Sequence, residues 1–328
     1  MTGGALGLGV FGGLGAGAAM GALVHDHLSD ERIAFDPFYE AWLRSQDLRV
    51  LDRRASESAA RSDIVVCLTS IPSRLSRIDL TLKSLLAQTM APAAIRLHLP
   101  LRSRRESEPY VLPSWLDGLR VVSVVRCDDE GPATKLLPAL TLKPDQRLLV
   151  VDDDRVYKRH FVSEFDRWSR ILPESALGTR GWDVPGDLTD RPTTTLNNLL
   201  QRPPVPVLAT RIRAPRPAHV LQGLGGVLVR PRFFDRAAVS SFQGAPEAAR
   251  FVDDVWFAAH CLVPKTIVPI RRSNFPSYWD ERRHKRSSLG LLNRGGGDVE
   301  RRNNTILIRH FKDRWDARKE SVNRRQEG

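Results

Sequence analysis

The sequence predicts an α/β protein with a Rossmann-like, mixed and mostly parallel sheet flanked by helices. Short apolar runs rich in β-branched residues alternate with segments whose apolar residues recur every three or four positions. This alternation is typical of βαβ units, which build parallel sheets. The chain has 328 residues, 41% hydrophobic and 27% charged, which suits one large domain with appendages.

The first 25 residues contain no Asp, Glu, Lys or Arg and are rich in Gly and Ala. Their length, and a glycine at every fourth position from Gly9 to Gly21, suit a membrane anchor. So much glycine also lowers helix propensity, and a positive n-region is missing, so a disordered leader is the equal alternative. We therefore expect a protein that is membrane-associated through this segment, or cytoplasmic. Residues 26–61 are interpreted as a polar, partly helical connector.

The main domain is predicted over residues 62–270 and begins with a strand over 63–68. One apolar helical face follows over residues 75–88. Strands over 94–99 and 119–125 come next, separated by an Arg-rich loop, and a short helix is expected from Thr134. The strand and helix patterns thus continue to alternate, as a parallel sheet requires.

The central feature is the run from Leu148 to Asp154, an apolar strand that ends in three consecutive carboxylates. Adjacent carboxylates repel one another and gain little from packing. At a strand end they are best explained as ligands of a hard divalent cation, which can in turn hold a phosphate. A merely acidic turn is the alternative, since loops are polar by default.

After the acids, a helix is predicted over 161–172, and residues 181–218 are interpreted as a surface or active-site loop because they are rich in Pro and Thr and lack a period. A regular, Gly-rich strand pattern follows over 219–229, and Pro231 occupies the first position of a short predicted helix. A helix over 252–262 begins with Asp253 and Asp254, where a helix N-terminus stabilises negative charge. Residues 266–270 are predicted as a final strand, and Trp256 and Phe257 are interpreted as core residues rather than sugar-stacking ones.

Positive charge is concentrated at the C-terminus. Residues 271–328 hold 16 Lys and Arg against 8 Asp and Glu, a net +8 of the total +12, and form a predicted basic extension with a hinge at 295–297 and a helix over 299–315. Such charge suits nucleotides, nucleic acid or anionic lipid headgroups. The three cysteines show no C-x-x-C spacing, which argues against a structural zinc site or a disulfide framework.

Four pieces of sequence suggest one site: the loop Thr69-Ser-Ile-Pro-Ser-Arg74, Gly131 to Lys135, the acids 152–154, and Asp253-Asp254. Ligands of open α/β sheets bind beyond the carboxyl ends of the strands, where three of these pieces lie. Their order, with a Gly-rich strand before the paired acids, resembles nucleotide-sugar glycosyltransferases of the GT-A fold over residues 62–270. The nearest likeness is to family 2-like enzymes, with some similarity in the acids to the exostosin C-terminal domain.

The resemblance implies a donor site. Asp152 and Asp154 correspond to the D-x-D pair, with Asp154 coordinating Mn²⁺ or Mg²⁺, Asp152 nearer the ribose, and Asp153 able to take either role. Lys135 would reach a uracil or a phosphate, although a solvated lysine is the alternative. The remaining donor-binding residues implied are Thr69, Pro72, Arg74, Gly225 and Gly226.

The resemblance also implies an acceptor site. Asp254 corresponds to the general base that takes the proton of the acceptor hydroxyl, and of the pair Asp253 and Asp254 one is expected to be the base and the other a helix cap. The first loop departs from the commoner Pro-x-Tyr-Asn pattern, and Asp128 and Asp129 are the candidates for the acid after the next strand.

The sequence therefore predicts a metal-dependent hexosyl- or N-acetylhexosaminyl-transferase. Its donor would be a UDP- or GDP-sugar and its acceptor a saccharide, a lipid-linked molecule or a protein. A membrane surface is a further candidate partner, and the basic tail would orient the enzyme to an anionic or lipid-linked acceptor. A nucleotidyltransferase is disfavoured, because the loop after the first strand carries Pro72 and a single arginine, Arg74, in place of a Gly-rich basic loop. A non-enzymatic nucleic-acid-binding protein is disfavoured because no binding module is recognisable.

Overall fold

The structure is a computed structural model that describes residues 35–194, 196–197, 204, 206–208, 214–270, 273–280, 293 and 295–315, with the single residues 17 and 20. The predicted anchor or leader over 1–25 therefore lies almost entirely outside the described residues. Among the helices that are described, none has both the length and the apolar composition needed to cross a bilayer.

The predicted alternation of strands with helices holds only in part, because the four strands from Ala94 to Tyr157 have only loops and 3₁₀ turns between them. The strands are β1 Val65–Thr69, β2 Ala94–Pro100, β3 Val122–Cys127, β4 Leu148–Val150, β5 Arg155–Tyr157, β6 Ala176–Gly178, β7 Arg180–Trp182, β8 Val207–Leu208, β9 Arg216–Pro217, β10 Val220–Leu221, β11 Val227–Val229, β12 Lys265–Ile267 and β13 Asn274–Pro276. The helices are α1 Asp36–Ser45, α2 Leu48–Glu57, α3 Pro72–Leu75, α4 Asp79–Leu86, α5 Phe161–Ile171, α6 Arg236–Val239, α7 Asp253–His260 and α8 Asn303–His310.

Eight strands form the central sheet in the order β3-β2-β1-β4-β11-β6-β12-β9. The first four are parallel to one another, β11 is antiparallel to both of its neighbours, and β6 and β12 run parallel again. Two small sheets, β10-β7-β8 and β13-β5, lie outside it. This is a mixed, mostly parallel α/β sheet, and the predicted sheet architecture is confirmed.

The central strands are buried on both faces, as parallel strands covered by helices must be. In β1, Val66 and Leu68 join one core cluster while Val65 and Cys67 join the other. Leu149 of β4 faces the first cluster and Val150 the second. Alternate side chains therefore fill two apolar layers, and the polar loops are left at the strand ends.

The helix predicted over 75–88 is interrupted. α3 ends at Leu75 and α4 begins only at Asp79. The apolar face was nevertheless placed correctly, because all five of its residues are buried in the first core cluster: Leu75, Ile78, Leu82, Leu85 and Leu86.

Three other expectations differ in detail. The short helix predicted from Thr134 is a pair of 3₁₀ turns, Gly131–Lys135 and Leu137–Thr141, and Pro138 lies in the second. Proline lacks the N–H that a continuing α-helix needs. The third strand begins at Val122, later than predicted, and the stretch interpreted as a loop over 181–218 contributes the short strands β7, β8 and β9 in its described residues.

Helices α1 and α2 lie within the segment interpreted as a connector. Leu43 of α1 and three residues of α2, Leu48, Leu51 and Ala55, belong to the first core cluster. The carboxylate of Asp52 accepts hydrogen bonds from the backbone N–H groups of Arg120 and Val121. These two helices are thus packed on the sheet domain.

Candidate active site

The loops at the carboxyl ends of β1 to β4 enclose a cavity of about 410 Å³. Its lining includes residues from the loop after each strand and the first turn of α7. Because parallel strands end at the same edge of the sheet, loops distant in sequence meet here. The predicted residues that line this cavity are Thr69, Arg74, Lys135, Asp152, Asp153, Asp154, Asp253 and Asp254.

The three strand-end acids have different partners. Asp153 accepts a hydrogen bond from Ser70 Oγ at 2.5 Å and pairs with Arg74 Nη1 at 3.0 Å. Arg74 Nη1 also lies 3.2 Å from Asp154 Oδ2. Asp152 points instead to Lys135, with 2.7 Å between its Oδ1 and the ammonium nitrogen. One loop therefore supplies carboxylates to two different cationic groups, Arg74 and Lys135.

The backbone of this loop is held by Tyr157. Its hydroxyl accepts from the Asp152 N–H at 2.9 Å and donates to the Asp152 carbonyl at 3.1 Å. The ring is fully buried, and Thr81 Oγ1 lies 2.8 Å from the carbonyl of Asp153. The acids are therefore mounted on a fixed turn.

Electrostatic repulsion remains within the acid triplet. Burial, and then the charges of Asp153 and Asp152, raise the pKa of Asp154 to about 6, against the pull of Arg74. Two like charges so close disfavour full ionisation of both groups. A divalent cation placed between the carboxylates would relieve this repulsion.

A metal held by this loop would have few protein ligands. Within the described ranges no group of three or more His, Cys, Asp or Glu side chains is arranged around a common point. Mg²⁺ is commonly held by one or two carboxylates, with substrate phosphates and water completing its shell. The pair Asp152 and Asp154 fits that mode of binding, and the assignment of these two residues as metal ligands stays a prediction.

Lys135 lies at the centre of the site. It is 7% exposed, and its Nζ lies 2.7 Å from Asp152 Oδ1 and 2.8 Å from Asp253 Oδ2. Burial alone would lower its pKa, but the charges of Asp152, Asp253 and Asp254 outweigh burial and hold the pKa well above its usual value. The alternative of a solvated lysine is wrong, and Lys135 is a buried cation between two acids, Asp152 and Asp253.

His98 of β2 positions the turn that carries Lys135. Its Nδ1 lies 3.1 Å from the Lys135 carbonyl oxygen. Burial lowers the pKa of His98 to about 4, so the ring is neutral at neutral pH. Because a carbonyl can only accept, Nδ1 carries the proton and donates it.

The paired acids of α7 both face the cavity. Asp253 pairs with Lys135, whereas Asp254 Oδ1 accepts the backbone N–H of Gly223 at 2.9 Å. Val252 occupies the N-cap position and no side chain caps the helix. Neither aspartate therefore has the capping role expected of one of them.

Asp254 is poised to exchange a proton near neutral pH. Burial, and then the charge of Asp253, raise its pKa to about 7, while Lys135 and the Gly223 N–H act in the opposite direction. A general base works best when its pKa lies near the operating pH. The packing around this carboxylate thus gives it a pKa at which it can accept a proton near neutral pH.

The predicted glycines lie elsewhere. A Cβ on Gly225 would come within 2.3 Å of Thr179 Oγ1, and one on Gly226, at φ +84°, within 2.6 Å of the Phe161 ring. Both glycines thus allow close packing of β11 on its neighbours rather than lining the cavity. Gly223 instead lies against the site's lysine, because a Cβ there would meet Lys135 Nζ at 2.8 Å, and Gly131 is the glycine in the cavity lining.

Pro72 also does not line the cavity. It occupies the first turn of α3, a position that proline favours because the missing N–H has no helical partner there. The predicted core role of Trp256 is confirmed: it is 2% exposed, stacks on Phe242 at 4.6 Å and donates its indole N–H to the Val239 carbonyl.

Several cavity residues were not predicted. They are Ser70, Ser103, Arg104, Arg105, Tyr110 and Arg250. The Tyr110 hydroxyl donates to the Ser70 carbonyl at 2.9 Å, and Asp129 accepts from the Arg104 N–H at 2.7 Å. Asp129, the candidate substitute acid, therefore joins two loops of the cavity wall. The only signal for Arg104 and Arg105 in the sequence was the density of arginines in the loop before Tyr110.

Comparison with known proteins gives structural similarities alone. No family model and no curated protein match the chain. TarS of S. aureus, in a crystal structure of residues 1–349, is similar over 76% of this chain and 71% of that chain, with 10% identity and a TM-score of 0.41. GalNAc-T7, in a crystal structure with UDP, GalNAc and Mn²⁺, is similar over 63% of this chain, with 13% identity and a TM-score of 0.38. This chain covers 41% of the GalNAc-T7 chain, and the activity is therefore inferred from the residues of the cavity itself.

Proposed function

We propose that the protein is a metal-dependent glycosyltransferase that moves a sugar from a nucleoside diphosphate sugar to an acceptor hydroxyl. The observation that carries this proposal is Lys135, which lies between the strand-end acid Asp152 and the helix acid Asp253. The donor side and the acceptor side of the proposed reaction are therefore parts of one cavity. UDP- and GDP-sugars are the donors to test first, with either a hexose or an N-acetylhexosamine as the sugar.

The donor diphosphate would lie among the cations of the cavity. Arg74, Arg105 and Lys135 all line it, and burial together with the nearby charge of Arg74 lowers the pKa of Arg105. Part of this lowering of the pKa reflects repulsion between the Arg74 and Arg105 guanidinium groups, which an anion bound between them would relieve. Asp152 and Asp154 would hold Mn²⁺ or Mg²⁺, which supplies neutralisation of the charge on the departing diphosphate.

Asp254 would act on the acceptor. In the proposed step, the acceptor oxygen forms a bond to the anomeric carbon, the bond from that carbon to the diphosphate oxygen breaks, and the acceptor proton passes to the Asp254 carboxylate. The Gly223 N–H fixes Oδ1 of this carboxylate at 2.9 Å, which leaves Oδ2 to receive the proton. Acceptor identity, whether saccharide, lipid-linked molecule or protein, is part of what the assay must determine.

Two variants separate the proposed roles. We expect Asp154→Asn to lose the rise in melting temperature that UDP or GDP produces with Mn²⁺, because its metal ligand is gone. Asp254→Asn should keep that rise and lose sugar transfer. Asp117→Asn, on an exposed turn, is the matched control for the chemical change. If both site variants fold and transfer sugar from every UDP- and GDP-sugar at the wild-type rate, the proposal is wrong.

A further inference from the structure

Helix α1 packs with its acids inward and exposes two of its three aromatic residues, Phe38 and Trp42. Asp36 is 2% exposed and Glu40 is fully buried, whereas Phe38 is 74% exposed, Phe35 56% and Trp42 39%. A helix on a globular protein normally buries its apolar stripe and exposes its charges. The positions 35, 38 and 42 form one such stripe, and here it faces outward.

The inverted orientation is built into the packing. Asp36 pairs with Lys158 at 2.9 Å. Glu40 accepts hydrogen bonds from Ser277 Oγ at 2.6 Å and from the Tyr278 N–H at 2.9 Å. Because both acids have specific partners inside the protein, rotation of α1 to bury its aromatic stripe would separate both carboxylates from those partners.

Two more exposed rings follow β13, and ring contacts link them to α1: Tyr39, which stacks on Trp42, lies 6.4 Å from Phe275, and Phe275 lies 5.8 Å from Tyr278. Tyr278 is 46% exposed and Trp279 55%, and the Arg44 guanidinium of α1 lies 5.3 Å from the centre of the Trp279 ring. We call the five exposed rings the aromatic face: Phe35, Phe38, Trp42, Tyr278 and Trp279.

The aromatic face stands apart from the rest of the described surface. Every Phe, Trp or Tyr that is exposed among the described residues belongs to it. The other exposed large hydrophobic residues are aliphatic and dispersed along the chain, such as Leu101, Val111 and Leu262. A cluster of exposed aromatic rings marks a binding surface, whereas single exposed apolar residues do not.

The chemistry of the face suits a lipid headgroup region. Trp and Tyr have an apolar body and a polar tip, so they favour the boundary between water and hydrocarbon. Exposed Arg159 lies beside the face, with its guanidinium 6.0 Å from the centre of the Trp42 ring. In the sequence, the Tyr278-Trp279 pair is flanked by Arg271-Arg272 on one side and by Arg282, Arg283, Lys285 and Arg286 on the other. Clusters of this kind bind anionic lipids.

The sequence before α1 points to the same partner. The 25 residues without a charged side chain end only ten positions before Phe35. A chain segment of that composition partitions toward apolar surroundings, and it would bring α1 close to the same surface.

We propose that the aromatic face binds the headgroup region of an anionic bilayer. This inference does not depend on the proposed transfer reaction, because none of the five rings lines the cavity.

Hydrogen exchange of the full chain tests the proposal. Mixed with vesicles of phosphatidylcholine and phosphatidylserine, peptides over 35–45 and 273–280 should exchange more slowly than in free protein, and a peptide around Val111 should not change. Vesicles of phosphatidylcholine alone should protect less, because the basic residues then lack an anionic partner. Absence of protection on both vesicles would overturn the proposal. So would slower exchange that appears without vesicles as the protein concentration is raised, because the face then binds a second copy of the chain.

A variant pair isolates the face from the N-terminal segment, which both variants keep. Phe38→Ser with Trp42→Ser and Trp279→Ser should reduce partitioning of the full chain onto the anionic vesicles by about tenfold or more. Leu101→Ser with Val111→Ser and Leu262→Ser is the matched control, with three exposed apolar residues removed elsewhere. Equal partitioning of the two triple variants, both with unchanged melting temperatures, would contradict the assignment.

Discussion

Replacement of Asp254 by Asn should stabilise the protein at neutral pH while it removes activity. Its pKa is raised from 3.8 to about 7, mainly by burial and then by Asp253. A shift of three units corresponds to about 4 kcal/mol of unfavourable free energy for the ionised form. Since Asp254 is half-buried, solvent screening reduces this to about 2 kcal/mol. Asn keeps the oxygen that accepts the Gly223 N–H and removes the charge.

The direction of this change in the free energy of unfolding follows from proton binding. The folded state holds the Asp254 proton up to a higher pH than the unfolded state, so the wild type loses stability as the pH rises from about 4 to about 7, and no further above that. The difference in free energy of unfolding between Asp254→Asn and wild type should therefore be near zero at pH 4 and about 2 kcal/mol in favour of the variant at pH 8.

Urea denaturation of the metal-free protein at both pH values measures this difference, with Asp117→Asn as the control that should show no pH-dependent gain. Transfer by the wild type should increase about tenfold per pH unit below pH 7 and then level off, because the base must be ionised. A variant that is destabilised at pH 8, or a difference that does not change with pH, would refute the electrostatic reasoning for Asp254.

Three further outcomes follow from the site. Lys135→Met should lower the free energy of unfolding by about 3–5 kcal/mol, because Asp152 and Asp253 lose their shared cation. Chemical denaturation measures this loss, and a value below about 1 kcal/mol would contradict the buried pairing. Arg74→Gln should raise the KM for the donor more than it lowers kcat, and steady-state kinetics separate the two. Gly226→Ala should lower the melting temperature with an unchanged donor KM, because its Cβ would meet a ring and not the substrate; a raised KM at equal stability would place Gly226 at the donor.

Local patterns identified the parts of the fold whose neighbours are close in sequence. The strand before Asp152 was recognisable because its apolar run ends abruptly in acids, and β4 is indeed a central, fully buried strand. The helix that begins at Asp253 was recognisable from its acidic first turn. In both cases the residues that decide the structure lie within one turn or one strand.

Contacts between distant residues decide what the sequence could not show. Lys135 was as compatible with solvent as with a ligand, and its burial follows from acids supplied by β4 and α7. Gly223 and Gly226 lie in the same Gly-rich stretch, but one approaches Lys135 and the other Phe161. Which glycine approaches Lys135 depends on how β11 packs, and that information is not present in the spacing.

Tyr157 gives the acidic loop a property that its own residues lack. Three carboxylates in a row tend to spread apart, yet the phenol oxygen holds both the N–H and the carbonyl of Asp152, and the Tyr157 carbonyl in turn accepts from the Tyr39 hydroxyl at 3.3 Å. The turn is thus preorganised before any ligand arrives. A cation that binds there meets carboxylates already ordered, so its affinity is not reduced by the entropy of fixing a loop, and the repulsion stored among the acids is released in the binding step.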